Sequence, residues 1–528
     1  MKRFLLSCFG FCLLLSAPAR ADVGDTGFWG GITGGRPLPK TTELLLASDS
    51  SGGGSKKKKD PLSTVYKEVI FLDGKPAAFE GSLTLKTSGE PEADKDYGKY
   101  TATYTIAPSD SSEENPDAQI NREVVFDVNW RREGRQMILD YKQKSWKETI
   151  TTADGSFTLD PKKSFFNVSV IEDAHPAVTY YRGDISERAV YTGSAGEGGA
   201  EEGGAAGQQT FSLETYGSFY GYQSAWSNTE TSRVDGTVTA PGWQTQFQTR
   251  PSVSVYKTMQ YTENEPTAIS FDGNFKEVQS VESGLAYDIF VNGSALTEDE
   301  KHGIVSVPVN NDFEQLIAPD LTFLKGNYAE DDIKRLFAMQ VLDGQPKFYV
   351  PSQAITRAQY TAAVVKALKL PLVTKDDGKK SSAKTKTPPI TMMFPDVPAD
   401  DPYFDYIMTS YKAGIAVGRS NGRFYSQNPI ELQEALVVLL RSLGLENLGL
   451  DPTPSTLFAD DAQIADWARR ELYAASRIGL IAPDADGKIN PRREVTKAEA
   501  AALINSLINY MRQELKTDYA EHIVDYTT

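Results

Sequence analysis

Two short stretches combine a helix-capping pair with a cation that the cap does not explain. Val495-Thr496-Lys497-Ala498-Glu499 and Ile355-Thr356-Arg357-Ala358-Gln359 each place a threonine three residues ahead of Glu or Gln. This spacing forms a capping box, in which each of the two side chains satisfies a backbone N–H at the start of a helix. Thr356 and Thr496 are the expected caps. Arg357 and Lys497 stand just inside them, where a cation faces the positive end of the helix dipole at a cost of roughly 0.3–1 kcal/mol. Helix chemistry alone gives no reason for a cation there. Arg357 offers a planar fork of donors and Lys497 a point charge.

No set of comparable quality suggests catalysis. The histidines are His175, His302 and His522, too scattered for a metal cluster or a convincing triad. Paired carboxylates could hydrolyse a glycoside, but the chain has 71 Asp and Glu, and a sequence does not reveal which two converge across ~5–10 Å. Tyr216, Phe219, Tyr220, Tyr222 and Trp226 could stack on sugar rings; packing between strands is the simpler expectation. Arg182-Gly183-Asp184 spells an adhesion tripeptide and is read as a chance match. Nothing calls for a cofactor or a bound metal.

The elements that must position these groups follow from the pattern of the chain. Lys2 and Arg3 precede an apolar run from Phe4 to Leu15, and Ala19-Arg20-Ala21 offers a cleavage site, so residues 1–21 read as a secretory signal peptide. No later run approaches the ~20 apolar residues of a membrane span. Both cysteines, Cys8 and Cys12, lie in that leader, which leaves the mature chain without disulfides or thiolate chemistry. Removing the leader takes away three cations and no acid, and the net charge goes from −16 to −19. Such an acidic surface argues against a nucleic-acid partner. At ~150 residues per domain, 528 residues suggest about three domains.

Residues 22–62 are rich in Gly, Ser and Lys and read as a flexible segment without the apolar mass to fold. Residues 63–317 alternate β-branched or aromatic with polar positions, broken by turn pairs at Asp73-Gly74, Asp154-Gly155, Asp235-Gly236 and Asp272-Gly273. This region is expected to be all-β, one sandwich or two small ones, with a flexible Gly/Glu insert at 193–207. Beyond residue 318 the spacing becomes helical, as in Ala500, Leu503, Ile504, Leu507 and Ile508.

The helical part also repeats itself. The third copy runs through Asp466-Trp467-Ala468, Gly479-Leu480-Ile481, Asp486-Gly487-Lys488-Ile489-Asn490-Pro491 and the box at 495–499. The first has Asn327-Tyr328-Ala329-Glu330, Asp343-Gly344, Tyr349-Val350-Pro351 and the box at 355–359. The second has Phe394-Pro395-Asp396-Val397, Tyr403, Gly414-Ile415, Asn421-Gly422-Arg423-Phe424 and Ile430. A period of about 50 to 60 residues marks a repeat architecture.

At these residues the chain resembles the S-layer homology family, whose units run from a Phe-x-Asp-Val start through a Trp-Ala helix and a Gly-rich loop to a Thr-Arg-Ala-Glu box. The units would be 318–371, 390–447 and 455–511, with a polar linker at 372–389 and a tail at 512–528. The resemblance implies an all-α, three-unit pseudo-trimeric bundle with grooves that bind a pyruvylated secondary cell-wall polymer, whose anionic carboxylate the box cation would meet at a helix start with free N–H groups. It implies a secreted, wall-anchored protein displaying the β region, with that polymer and other S-layer subunits as candidate partners. A wall-tethered polysaccharide hydrolase is the alternative. The polymer-binding candidates carried over are Arg357, Lys497, Thr356, Thr496, Gly344, Gly422, Gly487, Asp396, Asp460 and Trp467. Trp467 and Tyr328 are expected chiefly to pack helices, and Asp396 and Asp460 to cap a helix or touch ligand. The second copy departs from the pattern: it reads Ile430-Glu431-Leu432-Gln433-Glu434, with no threonine cap and leucine where the others carry a cation. The first lacks the leading aspartate.

Overall fold

The structure, a computed structural model, describes residues 28–34, 62–89, 91, 95–108, 117–195, 209–263, 273–291, 296–307, 312–372, 393–419, 421–448 and 454–519. The leader, the Ser/Gly/Lys run, most of the 193–207 insert and nearly all of the 372–389 linker lie outside the described residues.

Fifteen strands among the described residues form one sheet. They are β1 (Ile32–Thr33), β2 (Leu62–Ile70), β3 (Ala77–Ser88), β4 (Tyr97–Pro108), β5 (Ala118–Glu133), β6 (Gln136–Thr152), β7 (Gly155–Leu159) and β8 (Phe165–Ala174). The series continues with β9 (Val178–Ala195), β10 (Gln209–Ser224), β11 (Ser227–Ala240), β12 (Trp243–Thr262), β13 (Asn274–Val291), β14 (His302–Ser306) and β15 (Asp312–Ile317). Apart from one parallel bridge between β3 and β5, the pairings are antiparallel and mostly between neighbours in sequence. The expected sandwich is therefore a single continuous sheet. Its long strands bond more than one partner on a side: β6 pairs β7 and β8, and β9 pairs both as well, so no break separates two layers.

The sheet curls around its apolar face. Along β5, Ile120, Val124, Phe126, Val128 and Trp130 are buried while Gln119, Asn121, Glu123, Asn129 and Arg131 are exposed, the period of two of a strand with one face in water. The ends of the sheet come together, since β1 bonds β2 and Ser283 Oγ of β13 donates to Thr33 O at 2.9 Å. No helix among the described residues is long and apolar enough to cross a membrane.

Two expectations are corrected here. Within the segment read as flexible, Phe28, Trp29 and Ile32 join the β core; Trp29 stacks on Phe166 at 5.3 Å between ring centres, and Phe28 meets Tyr104 and Tyr141. Local composition hid this, because the apolar mass comes from distant strands. Asp235-Gly236 is the middle of β11 rather than a turn. A Cβ on Gly236 would come within 2.2 Å of the Phe247 ring on β12, so the glycine is needed for close approach, not for chain reversal.

Helices occupy the C-terminal part: α1 (Glu330–Ala338), α2 (Arg357–Ala367), α3 (Phe404–Lys412), α4 (Leu432–Leu443), α5 (Arg469–Arg477), α6 (Lys497–Asn509) and α7 (Leu515–Asp518). A π-helical turn at Tyr510–Glu514 joins the last two. Their core includes Ala177 and Trp226 from the turns after β8 and β10 and Val178, Tyr180 and Tyr222 from the adjoining ends of β9 and β10, so sheet and helices share buried side chains. Hydrogen bonds cross the junction as well: Trp226 Nε1 to Ala367 O at 2.8 Å, Ala177 N to Ser442 O at 2.8 Å and Tyr519 OH to Tyr181 O at 3.1 Å. Tyr180 and Tyr519 stack at 5.2 Å. Lys257 and Lys369 hold the buried Glu277 carboxylate at 3.0 and 3.3 Å. The aromatic run thus packs inward at Phe219, Tyr222 and Trp226, with Tyr216 left exposed.

Candidate functional site

The three box segments meet one another. Ile355 N donates to Val495 O, Val495 N to Ile430 O and Ile430 N to Ile355 O, at 2.9, 3.0 and 3.1 Å, which closes a ring. The first two amides of each box helix then bond the loop of the next segment. Arg357 N and Ala358 N donate to Asn428 O and Ser426 O, Leu432 N and Gln433 N to Arg493 O and Pro491 O, and Lys497 N and Ala498 N to Gln353 O and Pro351 O. The third amide of α2 and of α6 is taken by the threonine cap, Gln359 N to Thr356 Oγ1 and Glu499 N to Thr496 Oγ1, each at 3.2 Å. Both capping boxes form as expected. The amides expected to be free for an anion are instead consumed in joining the segments. Helix starts leave such donors open only until a neighbour supplies a carbonyl, and a single sequence did not reveal the neighbour.

The cations differ accordingly. Arg357 is 6% exposed; its Nε donates to Phe424 O at 2.9 Å, Nη2 to Val417 O at 3.3 Å, and Nη1 pairs with Glu434 at 2.7 Å. Its guanidinium also lies over the Phe424 ring, 5.0 Å from the centre. Lys497 reaches Gln353 Oε1 at 2.7 Å and lies 5.6 Å from the Tyr349 ring centre, and partial burial pulls its ammonium below the usual lysine range. Leu432 is buried. The missing threonine of its box is replaced by Glu431, which caps α4 reciprocally with Glu434.

An open cleft of about 380 Å³ lies beside the third box, between the loop at 480–490 and one face of α6. Tyr328, Lys488, Asn490, Arg493 and Glu499 bring rings and charges to it, and Leu503 an apolar floor. Tyr328 is 73% exposed. Arg493 Nη1 donates to Glu499 Oε1 at 2.7 Å and keeps 38% of its side chain in solvent. Burial opposes the Glu499 charge, yet the Thr496 amide and Arg493 hold its carboxyl below the usual range. A half-exposed guanidinium beside an exposed phenol can meet an anionic group and a sugar face together. Neither Arg493 nor Tyr328 stood out as a ligand contact in the sequence. The arginine lies outside the box, four residues before Lys497 in the chain, and Tyr328 reaches the cleft from another segment.

A profile of the S-layer homology domain matches residues 394–436 and 457–501. These two segments are S-layer homology domains. An amylopullulanase of Thermoanaerobacterium thermosulfurigenes is 30% identical over 199 residues, covering 36% of this chain and 10% of that protein. An exoglucanase of Acetivibrio thermocellus is 30% identical over 191 residues, covering 35% and 16%. A surface-layer 125 kDa protein of Lysinibacillus sphaericus is 26% identical over 229 residues, covering 43% and 17%. The chain therefore spans less than a fifth of the length of each of these relatives. A cell-surface location follows from the S-layer homology domains and the surface-layer relatives.

Within the two S-layer homology domains the leading aspartates neither cap a helix nor face the cleft. Asp396 accepts from Phe424 N and Tyr425 N at 3.0 and 2.7 Å, and Asp460 from Ile489 N and Asn490 N at 3.1 and 2.7 Å. Each thereby holds a non-glycine residue at positive φ, Tyr425 at 58° and Asn490 at 51°, a conformation most side chains avoid. The corresponding position of the first segment is Val350, whose branched side chain is poorly suited to it, and that segment has no leading aspartate. Gly344, Gly422 and Gly487 stand at turns with positive φ. Trp467 is 51% exposed and, like Tyr328, is not buried between helices; both sit at helix starts.

Proposed function

We propose that this protein is held noncovalently on the cell wall by an anionic, peptidoglycan-linked secondary polymer, with residues 318–371 acting as a third, divergent S-layer homology unit. The closed ring of box segments and the repeated amide bonds support the three-unit reading, because each segment makes the same pair of contacts to the next. The observation that carries the binding reading is the cleft of about 380 Å³ with Tyr328, Arg493 and Lys488 on its walls, within the ~300–1,000 Å³ typical of ligand sites. In this reading Arg493 and Lys497 face polymer, Tyr328 and Trp467 offer stacking surfaces, and Arg357 shapes its groove from within. The turn glycines and Asp396 and Asp460 set the loop shape, and Thr356 and Thr496 fix the helix starts.

The β region is the displayed part. Glu68 and Glu187, two of its buried carboxylates, border a space of only about 40 Å³, too small for a sugar ring, so this pair is not a glycosidase site. Candidate partners are the wall polymer and further surface-layer subunits. The test is co-sedimentation of the secreted chain with purified sacculi, before and after chemical removal of the secondary polymer. Retention on intact walls and loss from stripped ones is expected; equal retention on both refutes polymer binding.

A further inference from the structure

The interior of the β sheet encloses a group of charged side chains. Arg122 on β5 donates to both oxygens of Glu68 on β2, at 2.8 and 3.2 Å, and to Glu148 on β6 at 2.7 Å. Tyr66 OH and Trp146 Nε1 add donors to the same two carboxylates at 3.0 and 2.7 Å. Glu187 enters from β9 and accepts from Thr215 Oγ1 on β10 at 2.8 Å. All four charged residues are buried.

A cavity of about 40 Å³ lies among these groups, with Trp29, Glu68, Arg122, Glu187, Tyr191 and Thr215 on its wall. Three atoms of those residues have no hydrogen-bond partner among the described residues: Trp29 Nε1, Arg122 Nε and Tyr191 OH. The first two can only donate, and a buried donor left dry is costly. A cation is a poor guest for N–H groups, and the described residues form no metal-binding cluster. An anion would face carboxylates that already outnumber the single guanidinium. Water both accepts and donates. It needs at least ~10–15 Å³ and two to four polar partners, conditions this space meets.

We propose that the cavity is a built-in water site, where one or two ordered molecules accept from Trp29 Nε1 and Arg122 Nε and donate to the Glu187 carboxyl and Tyr191 OH. The water completes the network and ties the chain around Trp29, remote in sequence from the other wall residues, to the centre of the sheet.

Two measurements on the full chain test this. Crystals diffracting to high resolution should show a density peak within about 3.2 Å of Trp29 Nε1; no peak, or an anomalous bromide peak after a halide soak, overturns the water assignment. Tyr191→Phe gives an opposite-signed check. If water bridges the phenol, its loss lowers the folding equilibrium constant roughly fivefold or more. If the phenol is dry, removing it leaves that constant unchanged or raises it, which overturns the proposal. Should the variant fail to fold, the wild-type density decides alone.

Discussion

Glu187→Gln should remove a defined part of the pH dependence of stability. Burial is the main reason that the Glu187 carboxyl is pushed up to about 7 from an ordinary value of 4.5, and the neighbouring Glu148 and Glu68 add to it against the opposing pull of Arg122 and the Thr215 hydroxyl. Below pH 4.5 the group is protonated in both folded and unfolded chains and costs nothing. Between 4.5 and about 7 the unfolded chain releases a proton that the folded chain keeps, so stability falls as pH rises, by ~1.4 kcal/mol per pH unit. Above pH 7 both forms are ionised and the full penalty of about 3 kcal/mol is reached, the product of that gap and that slope. Glutamine keeps an acceptor for Thr215 and does not titrate. Urea unfolding followed by tryptophan fluorescence at pH 5 and pH 8.5 should therefore show the wild type losing about 2 to 3 kcal/mol more than the variant over that interval. Glu68, whose carboxyl burial also pushes up, is shared by both proteins. Equal losses in the two would show that Glu187 is ionised in the folded core and would refute the argument.

Three further outcomes follow from the helical part. Arg357→Ala strands Glu434 with Arg419 as its remaining partner, and should cost about 3 kcal/mol, read as a lower midpoint of thermal unfolding at 222 nm; an unchanged midpoint would mean that the arginine is not a buried tie. Arg493→Ala should weaken sacculus binding roughly tenfold with no change in unfolding temperature, since its side chain is partly solvated; intact binding would move the site elsewhere. Tyr519→Ala removes the ring stacked on Tyr180, costs about 3 kcal/mol, and should split one calorimetric transition into two.

The repeat was legible because its parts recur in order: boxes, turn glycines and leading aspartates align within the sequence itself. What those parts touch was not. Arg357 carries the family's cation, and nothing near it in sequence announces Phe424 O, Val417 O or Glu434, which lie 60 or more residues away and neutralise it. The aspartates were misread for the same reason, since their partners are amides about 30 residues downstream. In the β region alternation located the strands, but Gly236 looked like a turn because a glycine required by a neighbour's ring is indistinguishable, in one sequence, from a glycine required by φ. Trp29 was lost to its glycine-rich surroundings, although a burial site depends on what arrives from elsewhere in the chain.

The junction between sheet and helices determines how this molecule would carry a mechanical load. Domains that meet across a small polar interface swivel, and a pull on one reaches the other through the connecting chain alone. Here the Tyr180–Tyr519 stack, the Trp226 indole bond and the Lys257–Glu277–Lys369 trio lie side by side across the junction. A shearing force on the displayed sheet is then shared among them at once instead of opening them in sequence. If the helices are held on the wall as proposed, the sheet is carried as a rigid lever of set orientation rather than on a swivel.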